Sequence, residues 1–399
     1  MHEGFIVKFN ALRNEYLLKT EYLFAQQRQK WVSDFAENFQ KICAEVVRLQ
    51  EEESYPPVSH IECTILFNNF IDRRYVAEVF VYGESLYLDK NQCMAGEYDV
   101  SYLFVYFDEL WDKLLAERKR YVGKVSALEV KSMILGTLPD FYSYLANIAR
   151  FAIEDCDKKE LFDVINKNDP FRVCVGEYMN TSASKPVYVE RKNKNSRELM
   201  EWFSKELDGE YVFGDYSELD FSGCSFNSAD FSYSRFQGSL LGNACFKNSV
   251  LTGVNFCKSQ MEGCRLDNCI IHEADFSHAN LRGAIFTKAQ GDAALAEREE
   301  WRQAGYLPVS FKYADLTGAD FTWANLAGVD FTGAVLIGAN FSGATLTNAD
   351  FTGADLRNAH FEYSNLADAI FDDDFETSGA VLDHESLDSL ILGERFDDE

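Results

Sequence analysis

Carboxylates are the most abundant groups in this chain that could do chemistry: 65 Asp and Glu stand against 38 Lys and Arg, for a formal net charge of −27. Two adjacent pairs, Asp108-Glu109 and Glu154-Asp155, have the composition of an acid/base couple. That role needs one partner held protonated near neutral pH within reach of a substrate. Both pairs lie in helical patterns, where carboxylates ordinarily decorate a solvated surface. The basic run Glu190-Arg191-Lys192-Asn193-Lys194-Asn195-Ser196-Arg197 has the charge to grip a phosphate or an acidic partner, but it reads first as a solvated loop before a helix. The six histidines (His2, His60, His272, His278, His360, His384) are scattered, and no two of the ten cysteines have C-x-x-C spacing. There is no G-x-G-x-x-G after a strand, P-loop, H-E-x-x-H or nucleophile elbow. No residue is therefore assigned a catalytic, cofactor-binding or metal-binding role, and the chain reads as a non-enzyme.

At 399 residues the chain has room for two or three domains, each with its own core. Residues from about Gly4 to Glu53 contain no proline and carry a stripe at Trp31, Phe35, Phe39, Ile42, Val46 and Leu49, ended by Pro56-Pro57. The stripe predicts a long helix packed on its own domain rather than a coiled-coil dimer seam. Ile61–Phe70 and Tyr75–Tyr82, joined by Ile71-Asp72-Arg73-Arg74, predict a hairpin. Helical patterns follow at Tyr102–Arg120 and Ala127–Asp155, a second strand pair at Phe171–Tyr178 and Pro186–Arg191, and a helix at Ser196–Leu207. Residues 1–205 thus read as an α+β domain of no recognised family.

From Asp220 to Phe371 the chain counts in fives. A large apolar residue occupies every fifth position from Phe221 to Phe286, then again at Phe311, Leu316, Phe321, Leu326, Phe331, Leu336, Phe341, Leu346, Phe351, Leu356, Phe361, Leu366 and Phe371. Neither a helix nor a flat strand has that period, so the segment is a solenoid. Two residues before each centre stands a small one, usually Ala, with Cys at 224, 264 and 269. These cysteines read as small buried hydrophobes in a reducing cytoplasm. Gly often stands two residues after the centre, where the chain must turn tightly.

Units such as Ala319-Asp320-Phe321-Thr322-Trp323 and Ala354-Asp355-Leu356-Arg357-Asn358 carry the A-(D/N)-(L/F)-x-x pattern. Over about residues 214–371 the chain resembles the pentapeptide-repeat proteins. The resemblance implies a multidomain chain, an N-terminal α+β domain followed by a right-handed quadrilateral β-helix with one unit on each of four faces. The expected domains are 1–205, the β-helix 206–371 and an acidic C-terminal cap or tail 372–399. With four units per coil, the strict Phe/Leu alternation stacks Phe on two opposite faces and Leu on the other two. Passing directly from Phe286 to Phe311 would break that phase. An irregular unit Ala304-Gly305-Tyr306 restores it, so one continuous rod is expected, with a helical insertion at about 288–303 ejected from it; two stacked rods are the alternative.

The resemblance also sets the functional expectations. Some members of the family protect DNA gyrase from quinolones or peptide toxins, with a DNA-like acidic surface. The corresponding candidates here are the outward Asp315, Asp320, Asp330, Asp350 and Asp355, with Asp330 and Asp350 twenty residues apart on one face. Against mimicry, Arg235, Lys247, Lys258, Arg265 and Arg282 dilute the first array, and Asp before a repeat centre also bonds the local turn. Between Asp372 and Glu399 eleven acids face the single base Arg395, so the tail alone supplies −10 of the −27. Such a charge repels nucleic acid and anionic membranes and attracts basic partners. No apolar run reaches the roughly 20 residues of a membrane span, and the start lacks the pattern of a signal peptide. The expected role is a cytoplasmic, non-catalytic interaction scaffold without cofactor. Its partner is a protein, basic or DNA-binding, and a homodimer is an open option. A gyrase- or topoisomerase-directed DNA mimic and an N-terminal enzyme or sensor with the rod as targeting arm are the alternatives. Leu382, Leu387, Leu390, Ile391 and Leu392 are expected to cap the last coil, with a dimer contact as the alternative.

Overall fold

The computed structural model describes residues 3–52, 54–84, 92–158, 161–177, 185–190, 195–203, 211–292, 307–372, 379–384 and 386. The chain divides into two compact units between Lys192 and Asn193.

The first unit opens with α1 (Glu3–Glu52), whose stripe of Trp31, Phe35, Phe39, Ile42, Val46 and Leu49 is buried throughout. These side chains meet their own unit: Trp31 packs on Tyr102, Phe35 on Tyr98 and Phe39 on Phe162. The two expected hairpins form. β1 (Val58–Ile65) pairs antiparallel with β2 (Val76–Tyr82), and β4 (Lys167–Glu177) with β5 (Lys185–Glu190). The first expected strand ran on to Phe70, but the chain instead turns through a short helix, α2 (Phe67–Ile71). That turn buries Phe70 against Tyr75, Phe104 and Tyr142. β3 (Cys93–Asp99) has no counterpart in the sequence expectations; it extends the sheet beside β2. A parallel pairing of β1 with β4 joins the hairpins into one mixed sheet, β3-β2-β1-β4-β5. α3 (Val105–Arg118) follows β3.

The single helical stretch expected over Ala127–Asp155 is two helices, α4 (Ala127–Leu135) and α5 (Leu138–Lys158). Ser126 and Glu129 form a capping box at the start of α4. Gly136 and Thr137 end it, the Thr137 hydroxyl donating to Ile134 O. Pro139 then sits in the first turn of α5, where its missing N–H would be unsatisfied anyway.

The second unit begins with α6 (Ser196–Phe203), which the sequence reading placed in the first domain. Its ring Phe203 meets Tyr216, Phe221, Phe226 and Phe231 edge-on or tilted at 5.3–6.0 Å, and Leu199 joins the same buried cluster. α6 is thus the N-terminal cap that a solenoid needs over its first coil.

Beyond it each residue before a repeat centre pairs in parallel with its counterpart one coil on, from Asp215↔Arg235 to Asp350↔Ile370; the step is twenty residues, except across the interruption, where it is thirty-five. Four units therefore make one coil, and centres twenty apart stack in columns. The first column is aromatic throughout: Tyr216, Phe236, Phe256, Phe276, Phe311, Phe331, Phe351 and Phe371, with successive rings 4.8–5.3 Å apart. The third holds Phe226, Phe246, Leu266, Phe286, Phe321, Phe341 and Phe361, and its rings meet the first column edge to face, as Phe321 meets Phe331 at 5.7 Å. The second and fourth columns are largely Leu, Ile and Met, as the alternation predicts.

The repeat continues through the interruption, because Asp275 pairs with Ser310 and Gln290 with Asn325. The unit that keeps the phase is not the expected one, however. Gly291 takes the missing centre of the fourth column, where a Cβ would lie 2.9 Å from Ile271 and 2.8 Å from Val309. A glycine centre carries no apolar side chain to count, so the five-residue pattern passes over it. The expected insertion also began too early: residues 288–291 remain in the coil, with Gln290 paired to Asn325, while Tyr306 and the expected helix around Ala293 lie outside the described residues. At the other end Val381 pairs with His360, and the buried Ser386 hydroxyl donates to Phe361 O at 2.6 Å. Leu382 packs on the core, while Leu387, Leu390, Ile391 and Leu392 lie outside the described residues.

Replacing Phe203 by Ala should destabilise the second unit by about 2–3 kcal/mol, somewhat below the usual cost for a fully buried ring because Phe203 is only half-buried. Urea unfolding followed by Tyr and Trp fluorescence would measure it, and an unchanged midpoint would remove the cap.

Candidate interaction surface

Each unit offers the solvent three side chains: the residues either side of the centre and the corner residue two after it. Before the centre, Asp has a local duty. The carboxylates of Asp315, Asp320, Asp330 and Asp350 each accept the backbone N–H of the Thr two residues on, at 2.9–3.1 Å. Asp315 and Asp330 also accept the same Thr hydroxyl at 2.6 Å, as Asp320 does from Thr322. Asp355 accepts the Arg357 N–H and, from its guanidinium, bonds of 2.9 and 2.6 Å.

The five candidate acids fall on three columns. Asp330 and Asp350 are direct neighbours in the first; Asp315 and Asp355 share the second but are separated by Val335; Asp320 lies in the third between Ile285 and Asn340. Cations meet three of them: Lys312–Asp330 at 2.8 Å, Arg282–Asp315 at 3.0 Å and Arg357–Asp355 at 2.6 Å. Burial opposes ionisation of Asp330, but the Lys312 ammonium and the Thr332 donors outweigh it and hold its carboxyl below the usual range. Asp315 behaves likewise under Thr317 and Arg282, and the Arg357 guanidinium lowers Asp355 directly. Fixed acids matched by fixed bases do not make a continuous acidic stripe. The first array is similar, with Arg235 on Asp215 and Arg265 on Asp267.

The small slot has a chemistry that its composition only partly shows. The buried Ser239 and Ser249 hydroxyls donate to the carbonyl twenty-three residues earlier, at 2.7 Å. The thiols of Cys264 and Cys269 take the same route, to Leu241 O and Phe246 O at 2.9 and 2.8 Å. Burial pushes both thiols up to about 12, so they are inert packing groups. Cys224 is only half-buried, unlike the other two.

Sequence reasoning found the glycine corners but missed the bulky residues that stand at others. Every described corner residue, glycine or not, has a positive φ, including Tyr313 (56°), Trp323 (59°) and Tyr363 (60°). These three aromatics are also more than half exposed, at 58, 60 and 67%. The side chains of Tyr313 and Trp323, like that of Tyr233, lean one coil forward. A Cβ on Gly333 would lie 2.5 Å from the Tyr313 ring, one on Gly343 2.5 Å from the Trp323 ring, and one on Gly253 2.4 Å from the Tyr233 ring. The available signal was a bulky corner residue followed by Gly twenty positions later.

In the first unit Asp108 accepts the Tyr75 hydroxyl at 2.6 Å and lies 3.4 Å from Arg73, which tethers α3 to the hairpin. Glu154-Asp155 lies near the end of α5, and its side chains are outside the described residues. β1 places His60, Glu62 and Thr64 on one side of the sheet. Burial and the neighbouring Arg172 pull His60 down to about 4, and its Nδ1 meets no hydrogen-bond partner among the described residues. On the opposite side burial raises the Cys63 thiol to about 12. Residues 191–194 of the basic run lie outside the described residues. Among the described residues no three His, Cys, Asp or Glu side chains converge as a metal site, and no helix is long and apolar enough to cross a membrane.

The corner geometry separates two glycines of similar φ, 66° at Gly338 and 70° at Gly343. Gly338→Ala meets nothing within 4 Å, so it should cost about 1 kcal/mol for the left-handed backbone alone. Gly343→Ala must also displace Trp323 and should cost about 1 kcal/mol more. Introducing Trp323→Gly beside it should abolish that excess in a double-mutant cycle of unfolding free energies. A second prediction concerns pH. Because folding lowers the carboxyl of Asp330, its contribution is complete above the unfolded value of about 3.9 and is lost as pH falls through the folded one. The melting temperature should therefore drop on acidification below about pH 4, and less steeply in Asp330→Asn, whose amide oxygen still serves the turn.

Two family models, both described as pentapeptide repeats, match the chain, one at residues 217–248, 249–287 and 314–353 and the other at 336–381. None matches the N-terminal region, and the comparison with curated proteins gives no match. Among solved structures, the chain is similar to HetL, a pentapeptide repeat protein involved in heterocyst differentiation regulation from the cyanobacterium Nostoc sp. strain PCC 7120. Identity is 22% over 44% of this chain and 70% of that one, with a TM-score of 0.39. It is also similar to full-length QnrB1, a plasmid-mediated fluoroquinolone resistance protein, at 19% identity over 46% of this chain and 100% of that one, TM-score 0.23. A thylakoid-lumen pentapeptide repeat protein of Arabidopsis thaliana matches at 24% identity over 41% and 74% of the two chains, TM-score 0.17. The coil register and the family matches coincide: residues 217–287 and 314–381 carry pentapeptide repeats, and the described ones coil as a β-helix.

Proposed function

We propose that the chain is a non-catalytic protein-interaction scaffold, whose repeat segment, a right-handed quadrilateral β-helix, presents its outer surface to a protein partner in the cytoplasm. The observation that carries this reading is the filled interior. Among the described residues the centres from Phe221 to Leu366 are buried and packed in one continuous cluster, so recognition by this segment falls to its outside. In the first unit, His60 is held neutral without an orienting partner among the described residues, and Cys63 is kept as a thiol. Neither arrangement supplies the activated base or nucleophile of an acyl-transfer site. The excess negative charge favours a partner with a basic rim.

The test is saturable capture. Immobilised full-length chain should retain a protein that excess soluble chain displaces, and that protein should be recovered chemically unaltered. Recovery of a covalently modified partner would assign the first unit an enzymatic role and sink the scaffold reading. DNA mimicry makes a separate demand, on a continuous acidic face. With Asp315, Asp330 and Asp355 already matched by cations, micromolar protein is expected to leave gyrase supercoiling and its quinolone sensitivity unchanged. Inhibition or protection that weakens in Asp330→Asn/Asp350→Asn would reverse that conclusion.

A further inference from the structure

Trp323 and Tyr363 stand on the same corner, two coils apart, with Gly343 between them. Both hold a left-handed backbone that glycine would adopt without strain, and both leave their rings largely in solvent. The local fold gains nothing obvious from such residues there. Trp323 lies over the Gly343 backbone, since a Cβ on that glycine would fall 2.5–2.7 Å from its Cε3, Cδ2 and Cζ3 atoms. One side of the indole is thus covered, and the ring is left as an exposed plate.

The column beside this corner is the fourth. In the coils from Trp323 to Tyr363 its outward residues are Asn325, Ala327, Thr345, Thr347, Asn365 and Ala367, none of them charged. The other three columns carry Asp in the same coils, and charge returns at the far corner with Asp368. On the opposite side of the aromatic row, Glu362 lies between Ser342 at 3.4 Å and His360 at 3.5 Å. Beyond Tyr363, Asp383 accepts its backbone N–H. In so acidic a chain this strip allows a ligand to be desolvated without burying a carboxylate.

Two strand spacings separate the two corner positions, about 9.6 Å along the axis. One turn of a polyproline II helix rises about 9.3 Å. The corner spacing and the ligand repeat are therefore commensurate. Such a helix leaves its carbonyls free for the Asn and Thr side chains, and its proline rings pack on aromatic plates.

We infer that the Trp323–Tyr363 corner, with the uncharged column beside it, docks a proline-rich segment of a protein partner in the polyproline II conformation. This deepens the scaffold reading and rests on it. The test uses full-length protein and fluorescein-labelled decaproline in an anisotropy titration, with cellohexaose as a neutral glycan competitor. Trp323→Gly and Tyr363→Gly remove each ring while giving the corner its preferred residue, so both variants should melt no lower than the parent. Each is expected to weaken decaproline binding by about tenfold, while Tyr313→Gly, on a different corner, leaves it unchanged. Affinity should also hold as salt rises to about 0.5 M, because no ion pair is involved. No saturable binding below about 1 mM, equal loss in Tyr313→Gly, or displacement by cellohexaose would overturn the assignment. A negative result with competable partner capture intact would remove this corner and leave the scaffold standing.

Discussion

Everything in the repeat segment depends on one constraint: a residue pairs with the residue twenty positions later. Backbone N–H and C=O groups are obligatory hydrogen-bonding groups, so a coil of any other length would leave a ladder of them unsatisfied. That requirement makes columns of the sequence, and columns make a core in which Phe must follow Phe. Phe276 and Phe311 show its strength. They are thirty-five residues apart, yet their rings stack at 4.9 Å and 6°, within the range of the regular pairs. The chain between them carries fifteen residues more than a regular coil, a surplus that chain entropy penalises only weakly with length. Gly291 is the adjustment that lets this happen, filling a centre without a side chain beside Val309.

A second consequence concerns the corners. Closing a coil in twenty residues requires a left-handed residue after each centre, whatever the sequence supplies there. Glycine and asparagine tolerate this; Glu273, Lys288 and Trp323 accept a cost of about 1–2 kcal/mol each. The continuous ladder and the stacked rings on either side over-determine the conformation, so the strain persists without opening the fold. Corner side chains then lean over the next coil, which explains why some corner glycines answer to a neighbour as well as to φ.

These relations also explain what could be read from the chain. The Phe/Leu sorting was legible because a period of five combined with four units per coil leaves no freedom in where a centre stacks. Gly291 was not, since a centre without a side chain leaves no mark in an apolar count. α6 was legible as a helix but not as a cap, because amphipathicity reports that Leu199 and Phe203 need cover, not what covers them. β3 was missed because Cys93–Asp99 contains Gly96 and two acids and little of the β-branched composition of a strand. The β1–β4 pairing joins segments about a hundred residues apart, a relation no local pattern encodes. For the surface, the stacking of Asp330 on Asp350 followed from arithmetic. The neutralising contact of Arg282 with Asp315 spans the interruption and could not.

Acidity and recognition are separable in this fold. An Asp before a repeat centre is already engaged by the turn it closes, and a mimic of DNA needs carboxylates whose field is uncommitted. The corner and outward positions beside uncharged columns carry no such duty, so they are freer to vary without loss of the coil. A surface built this way also has a ruler in it. Its side chains repeat at the strand spacing of about 4.8 Å, fixed by hydrogen bonds rather than by side-chain packing. Extended ligands with a regular repeat can register with such a lattice over many coils, whereas a compact ligand meets only a flat wall. Specificity then follows from which columns are aromatic, neutral or charged, and net charge governs chiefly how partners approach.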